Sequence, residues 1–66
     1  MINHLKLERA RHNLTQEQLA ERVGVSRQSI NSIEKNRYVP STILALKIAQ
    51  ELNTSIENIF ELEECD

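Results

Sequence analysis

One glycine, one proline, one cysteine, no tryptophan and a single residue each of tyrosine and phenylalanine mark this chain. Each scarcity removes a class of function. A lone glycine excludes a glycine-rich loop that cradles phosphates. The lone thiol, Cys65, has no partner for an intrachain disulfide and no companion thiol for a metal site, which fits a reducing, cytoplasmic setting. With Tyr38 and Phe60 as the only aromatics, RNA recognition by stacking several bases has too little to stack on. No apolar run approaches the roughly 20 residues that cross a bilayer, and the N-terminal residues lack a signal-peptide core. His4 and His12 are too far apart for a helical metal pair and have no carboxylate cluster beside them, so they read as surface residues. The serines are used as helix caps and Cys65 has no neighbouring base, so neither enzyme activity, metal nor cofactor is expected.

What is present is an uneven charge. The 66 residues carry a net charge of −2, yet residues 1–48 hold all eight Lys and Arg against four Glu, and residues 49–66 hold six acids and no base. A basic working region and an acidic tail, 61–66, turned away from it account for this distribution; a merely solubilising tail accounts for it equally well. A chain of this size is expected to form one domain over 1–66, with a core worth only about 3–5 kcal/mol.

Capping residues divide the chain into five short helices. Asn3 can cap a first helix reaching about His12, with Asn13 ending it. Thr15 and Gln18 form a capping box for a second, which Gly24 breaks. Ser26 caps a third, running to about Lys35 before the loop Asn36-Arg37-Tyr38-Val39-Pro40. Ser41 caps a fourth, with Leu44, Ala45, Ile48, Ala49 and Leu52 at helical spacing and Asn53 as a left-handed cap. Thr54 or Ser55 opens a fifth, ending near Phe60. The expected fold is therefore a compact all-α domain. Phe60-Glu61-Leu62-Glu63 alternates apolar and charged, a strand period for which Ile2 could supply a partner; the frayed tail is the preferred expectation over a terminal β-ribbon.

The segment "QEQLAERVGVSRQSINSIEK", residues 16–35, places two helices across a tight turn. Close crossing needs a methyl-sized contact, Ala20 facing Ile30, and the turn needs Gly24 for positive φ. Leu19, Val23, Val25, Ile30 and Ile33 anchor both helices. Winding the third helix at about 100° per residue from Arg27 puts Asn31, Lys35, Gln28 and Ser32 at about 40°, 80°, 100° and 140°. Ile33, Ile30 and Glu34 fall at about 240°, 300° and 340°. The outward face is therefore rich in amides, and Arg27 can reach round to it from the edge. Glutamine and asparagine can bind adenine through two hydrogen bonds, and arginine guanine, so Arg27, Gln28, Asn31 and Ser32 are the candidate base readers. Gln16, Ser26, Lys35, Asn36, Arg37 and Tyr38 surround them as candidates for the phosphate backbone, although Tyr38 serves equally well as an anchor at the core edge. Glu34 turns inward, where Arg9 could pair with it.

Through "LTQEQLAERVGVSRQSINSIEKNR" and "PSTILALKIAQELNTSIENIF" the chain resembles the Cro/CI-type, or XRE, helix-turn-helix repressors from about Leu5 to Phe60. The resemblance implies a five-helix lambda-repressor-like domain whose third helix enters the major groove. It also implies a structural pair between Arg9 and Glu34, and a Gln16 that holds a phosphate and supports the base readers. The function expected is a sequence-specific DNA-binding regulator, acting as a repressor and homodimer on a palindromic operator, without a small-molecule substrate. Ile59, Phe60 and Leu62 are the expected dimer contacts. The rival expectation is an antitoxin-like or anti-repressor module that holds a protein partner on the same scaffold.

Overall fold

The computed structural model describes all 66 residues. In chain order it contains strand β1 (Ile2–Asn3), helices α1 (Leu5–Arg11), α2 (Gln16–Val23), α3 (Arg27–Glu34), α4 (Thr42–Glu51) and α5 (Ile56–Ile59), and strand β2 (Phe60–Glu61). No helix is long and apolar enough to cross a membrane.

The caps act much as their chemistry requires. Thr15 Oγ1 accepts from the Gln18 N–H at 3.0 Å while Gln18 Oε1 accepts from the Thr15 N–H at 2.9 Å, completing the box. Ser26 and Ser41 accept from Ser29 and Leu44 N–H groups in the same way. Gly24 has φ of 77°, and a Cβ built there would meet nothing within 4 Å. Backbone conformation, not crowding, is therefore what reserves that position for glycine. With no further glycine available, asparagine takes the other left-handed positions, at Asn13, Asn36 and Asn53.

Two expectations at the ends of the chain are corrected. Asn3 is not the N-cap of α1: it lies in β1, and His4 occupies the cap position without a side-chain bond. The Asn3 side chain still serves the helix, its Oδ1 accepting from the Leu5 N–H at 2.8 Å. Nor does the tail fray. β1 and β2 pair antiparallel, Ile2 opposite Glu61 and Asn3 opposite Phe60, and the His4 N–H donates to the Ile59 carbonyl at 2.7 Å. The Met1 ammonium then lies 2.7 Å from Glu63 Oε1 and 3.1 Å from Asp66 Oδ2, clasping the two chain ends. Hydrogen bonds from Met1 to Glu63 and Asp66 raise the amine's pKa above its ordinary 8.0. The Glu63 N–H and then the Met1 ammonium lower that of Asp66 below its ordinary 3.8. Strand period failed to persist beyond Glu61: Phe60 points into the core, whereas Leu62 is 82% exposed.

The core joins all five helices. Leu5, Leu19, Ile30, Ile33, Ile48, Leu52 and Ile59 are essentially removed from water, each contributing about 1.5–3 kcal/mol relative to exposure. α2 packs against α3 and α4, and α1 also touches α3. Consequently α3 is held from behind along its aliphatic stripe, with its opposite side left open.

Candidate nucleic-acid interface

Ile30 and Ile33 are fully buried, while Arg27, Gln28 and Lys35 are exposed and Asn31 and Ser32 half-exposed. Two shallow concavities run along the open side of α3. Arg27, Gln28, Asn31 and Lys35 line one; Ser26, Gln28, Ser29, Ser32, Arg37 and Tyr38 line the other. The structure therefore gathers all four candidate base readers, and most of the candidate backbone contacts, onto one surface. Tyr38 is exposed beside Arg37 rather than anchored in the core. Asn36 sits in the turn ending α3 with φ of 58°, its N–H donating to Ile33 and the Arg37 N–H donating to Ser32.

Glu34 needs explanation, because an acidic side chain next to a polyanion would be repelled. Its side chain is only 6% exposed. Arg9 Nε donates to Glu34 Oε2 at 2.7 Å and Nη2 to Oε1 at 3.2 Å, a two-pronged grip that neutralises the carboxylate. The same guanidinium donates through Nη1 to the Leu14 carbonyl at 2.7 Å, in the turn before α2. One cation thus ties α1, the entry to α2 and the last residue of α3 together. The open side of α3 is left without a free carboxylate.

Gln16, the first residue of α2, extends this network. Its Nε2 donates to Glu34 Oε1 at 3.2 Å and to Asn31 Oδ1 at 3.2 Å. Its side-chain nitrogen is spent inside the protein, and with the Gln18 N–H taken by Thr15, the Gln16 and Glu17 N–H groups are what the first turn of α2 leaves for any anion there. Ser26 Oγ is similarly occupied in capping α3 and in a 3.0 Å bond with Ser29.

Sequence reasoning missed Asn3. Its Nδ2 donates to the carbonyl of Ile33, so the terminal ribbon is bonded directly to the end of α3. No local pattern could reveal this, since the partners are 30 residues apart. The dimer contacts expected at the C-terminus also need correction. Ile59 is 0% and Phe60 9% exposed because α5 and β2 fold back onto the core; of that trio only Leu62 offers surface.

Comparison with known proteins agrees with this geometry. The helix-turn-helix family matches residues 5–59. An uncharacterized HTH-type transcriptional regulator of Methanocaldococcus jannaschii is 56% identical over 64 residues, covering 97% of both chains. The Bacillus subtilis HTH-type regulator YgzD, also uncharacterized, is 50% identical over 64 residues and again covers 97% of both. A further HTH-type regulator, from Methanothermobacter thermautotrophicus, is 62% identical over 52 residues, 77% of this chain and 75% of that one. A five-helix framework holding an amide-rich third helix, matched along nearly its whole length by such relatives, places the chain in the XRE-type helix-turn-helix family of DNA-binding transcriptional regulators, which are not enzymes.

Proposed function

We propose that this regulator acts as a cytoplasmic repressor that binds a palindromic operator as a homodimer, α3 of each copy lying in the major groove. Arg27, Gln28, Asn31 and Ser32 read base edges. Lys35, Asn36, Arg37 and Tyr38, with backbone N–H groups at the starts of α2 and α3 near Gln16 and Ser26, hold phosphates on either side. Two copies with recognition helices about 34 Å apart would meet successive major grooves on one face of the duplex. Repression follows from occupying DNA that polymerase needs.

The observation that carries this reading is the division of α3: two isoleucines fully buried, a polar face of amides, hydroxyls and cations outside, and the one intervening acid neutralised by Arg9. Selection of bound duplexes from a random pool at stated salt tests it. Recovery of a two-fold symmetric sequence would support it, and retention of all duplexes alike would sink it.

A protein-binding role on the same scaffold draws on the exposed apolar side chains Val39, Ile43, Leu46 and Leu62. The acidic tail and the C-terminal apolar residues add little to it, because the tail is clasped to Met1 and Ile59 and Phe60 are buried. Co-purification of a stoichiometric protein without salt-sensitive DNA retention would favour it.

A further inference from the structure

We infer that Asn3 is a positioning residue for DNA binding: through it the terminal ribbon holds the turn after α3, so that Asn36 and Arg37 meet the phosphate backbone from a fixed place. This rests on α3 lying in the major groove and on that turn contacting phosphates.

The Asn3 side chain is bonded at both ends of its amide. Oδ1 accepts from the Leu5 N–H at 2.8 Å, and Nδ2 donates to the Ile33 carbonyl. A backbone N–H can only donate and a carbonyl can only accept, so the two ends of the amide are not interchangeable. Asn3 is itself placed by strand pairing opposite Phe60, and the next residue, His4, donates its N–H to the Ile59 carbonyl at 2.7 Å. The donor that reaches Ile33 therefore stands on a ribbon made from both ends of the chain.

The last carbonyls of a helix need partners from beyond it. At the end of α3 the residues that follow supply them: the Lys35 N–H donates to Asn31 at 3.1 Å, the Asn36 N–H to Ile33 at 3.0 Å and the Arg37 N–H to Ser32 at 2.9 Å. Asn3 is the one side chain from another element that joins these bonds, on the same carbonyl that Asn36 uses. Arg9 also reaches the end of α3, but it grips the Glu34 carboxylate, which turns about its own side-chain torsions. Asn3 holds main chain, and the turn follows the main chain. Asn36 has φ of 58°, so the chain changes direction there within one residue, and a shift of the Ile33 peptide is passed directly to Arg37. Gln28 lies about 7.5 Å back along the helix axis and shares none of these bonds.

The experiment uses the full chain, its selected duplex and two variants. Asn3→Ala removes both bonds, whereas Asn3→Asp keeps an acceptor for the Leu5 N–H but has no donor for Ile33. In the free protein, hydrogen exchange at the Asn36 and Arg37 amides should speed up in both variants by about 2- to 10-fold relative to amides at the start of α3, the range for loss of one hydrogen bond. A fall in overall stability alone would speed all of these amides alike. On DNA, Asn3→Ala, which adds no charge, should lower the salt slope of binding by about one unit and leave the preference at the base pair read by Gln28 unchanged. Both responses are required, and either one without the other overturns the inference. It is also overturned if Asn3→Asp keeps Asn36 and Arg37 as protected as in the wild type, since Asn3 would then serve only the start of α1. A wild-type protein that holds no duplex would instead remove the assignment of this turn to phosphates, and the inference with it, before any variant is made.

Discussion

Two ionic clusters tie distant parts of this chain together, and they do not carry equal weight. At the junction of α1, α2 and α3, Arg9 and Glu34 are 14% and 6% exposed, with all three guanidinium nitrogens donating and both carboxylate oxygens accepting. At the opposite termini, Met1, Glu63 and Asp66 meet at similar distances but in water. Distance alone would rank them together. Burial separates them: a charge enclosed by protein cannot be rescued by solvent when its partner is removed, whereas an exposed one is resolvated at little cost. The junction lies behind the open side of α3 and reaches it through Gln16, which bonds both Glu34 and Asn31; the terminal clasp only closes the ribbon behind.

The largest effect should come from the junction. Glu34→Ala leaves Arg9 enclosed and unpaired, and should cost about 3–5 kcal/mol in a denaturant titration, enough to unfold much of so small a domain. A loss under about 1 kcal/mol would mean that the two clusters are equivalent after all. On the face that the junction supports, Gln28→Ala should lose about 1–3 kcal/mol of binding at one base-pair position and leave the melting temperature unchanged. Arg37→Ala, by contrast, should weaken every duplex alike and reduce the salt slope by about one unit. Competition binding with single base-pair variants at several salt concentrations separates the two; identical profiles would show that base and phosphate contacts are not divided as proposed.

Asn3 connects the two regions, since it belongs to the ribbon and bonds to the last turn of α3. Asn3→Ala should cost about 1 kcal/mol of stability, measured by chemical denaturation. The smallest effect belongs to the clasp. Its amine has a raised pKa, so that contribution is complete below about 8.0 and disappears as pH climbs through the raised value. Asp66 has a lowered pKa, so its contribution is complete above about 3.8 and disappears as pH falls through the lowered value. The difference in melting temperature between wild type and Asp66→Asn should therefore be greatest between those limits and shrink outside them. A difference independent of pH would remove the charge pairing from the explanation.

Much of the fold was legible because its determinants are local. Thr15, Ser26 and Ser41 cap their helices through bonds three residues long, and Gly24 and Asn53 bend the backbone through their own conformational freedom. The outward face of α3 was legible for a related reason: periodicity fixes which residues share a side, and the buried isoleucines show which side is inward. Asn3 was misplaced because its strand partner, Phe60, is at the other end of the chain, where no local capping pattern reaches. Ile59 and Phe60 were misjudged as free surface because an apolar residue does not announce whether the core it joins is its own or a neighbour's.

By itself the amino-acid order settled which segments are helical, where they stop, and which residues of α3 stand opposite its aliphatic stripe, since each depends on contacts within a turn or two. Tertiary folding decided the rest: that the tail closes into a ribbon with β1, that Glu34 is silenced by Arg9, and that Gln16 and Asn31 face one way and not the other. Hydrogen-bond direction across separate helices is set only when an obligate donor and an obligate acceptor are brought within reach, and that proximity exists only in the folded chain.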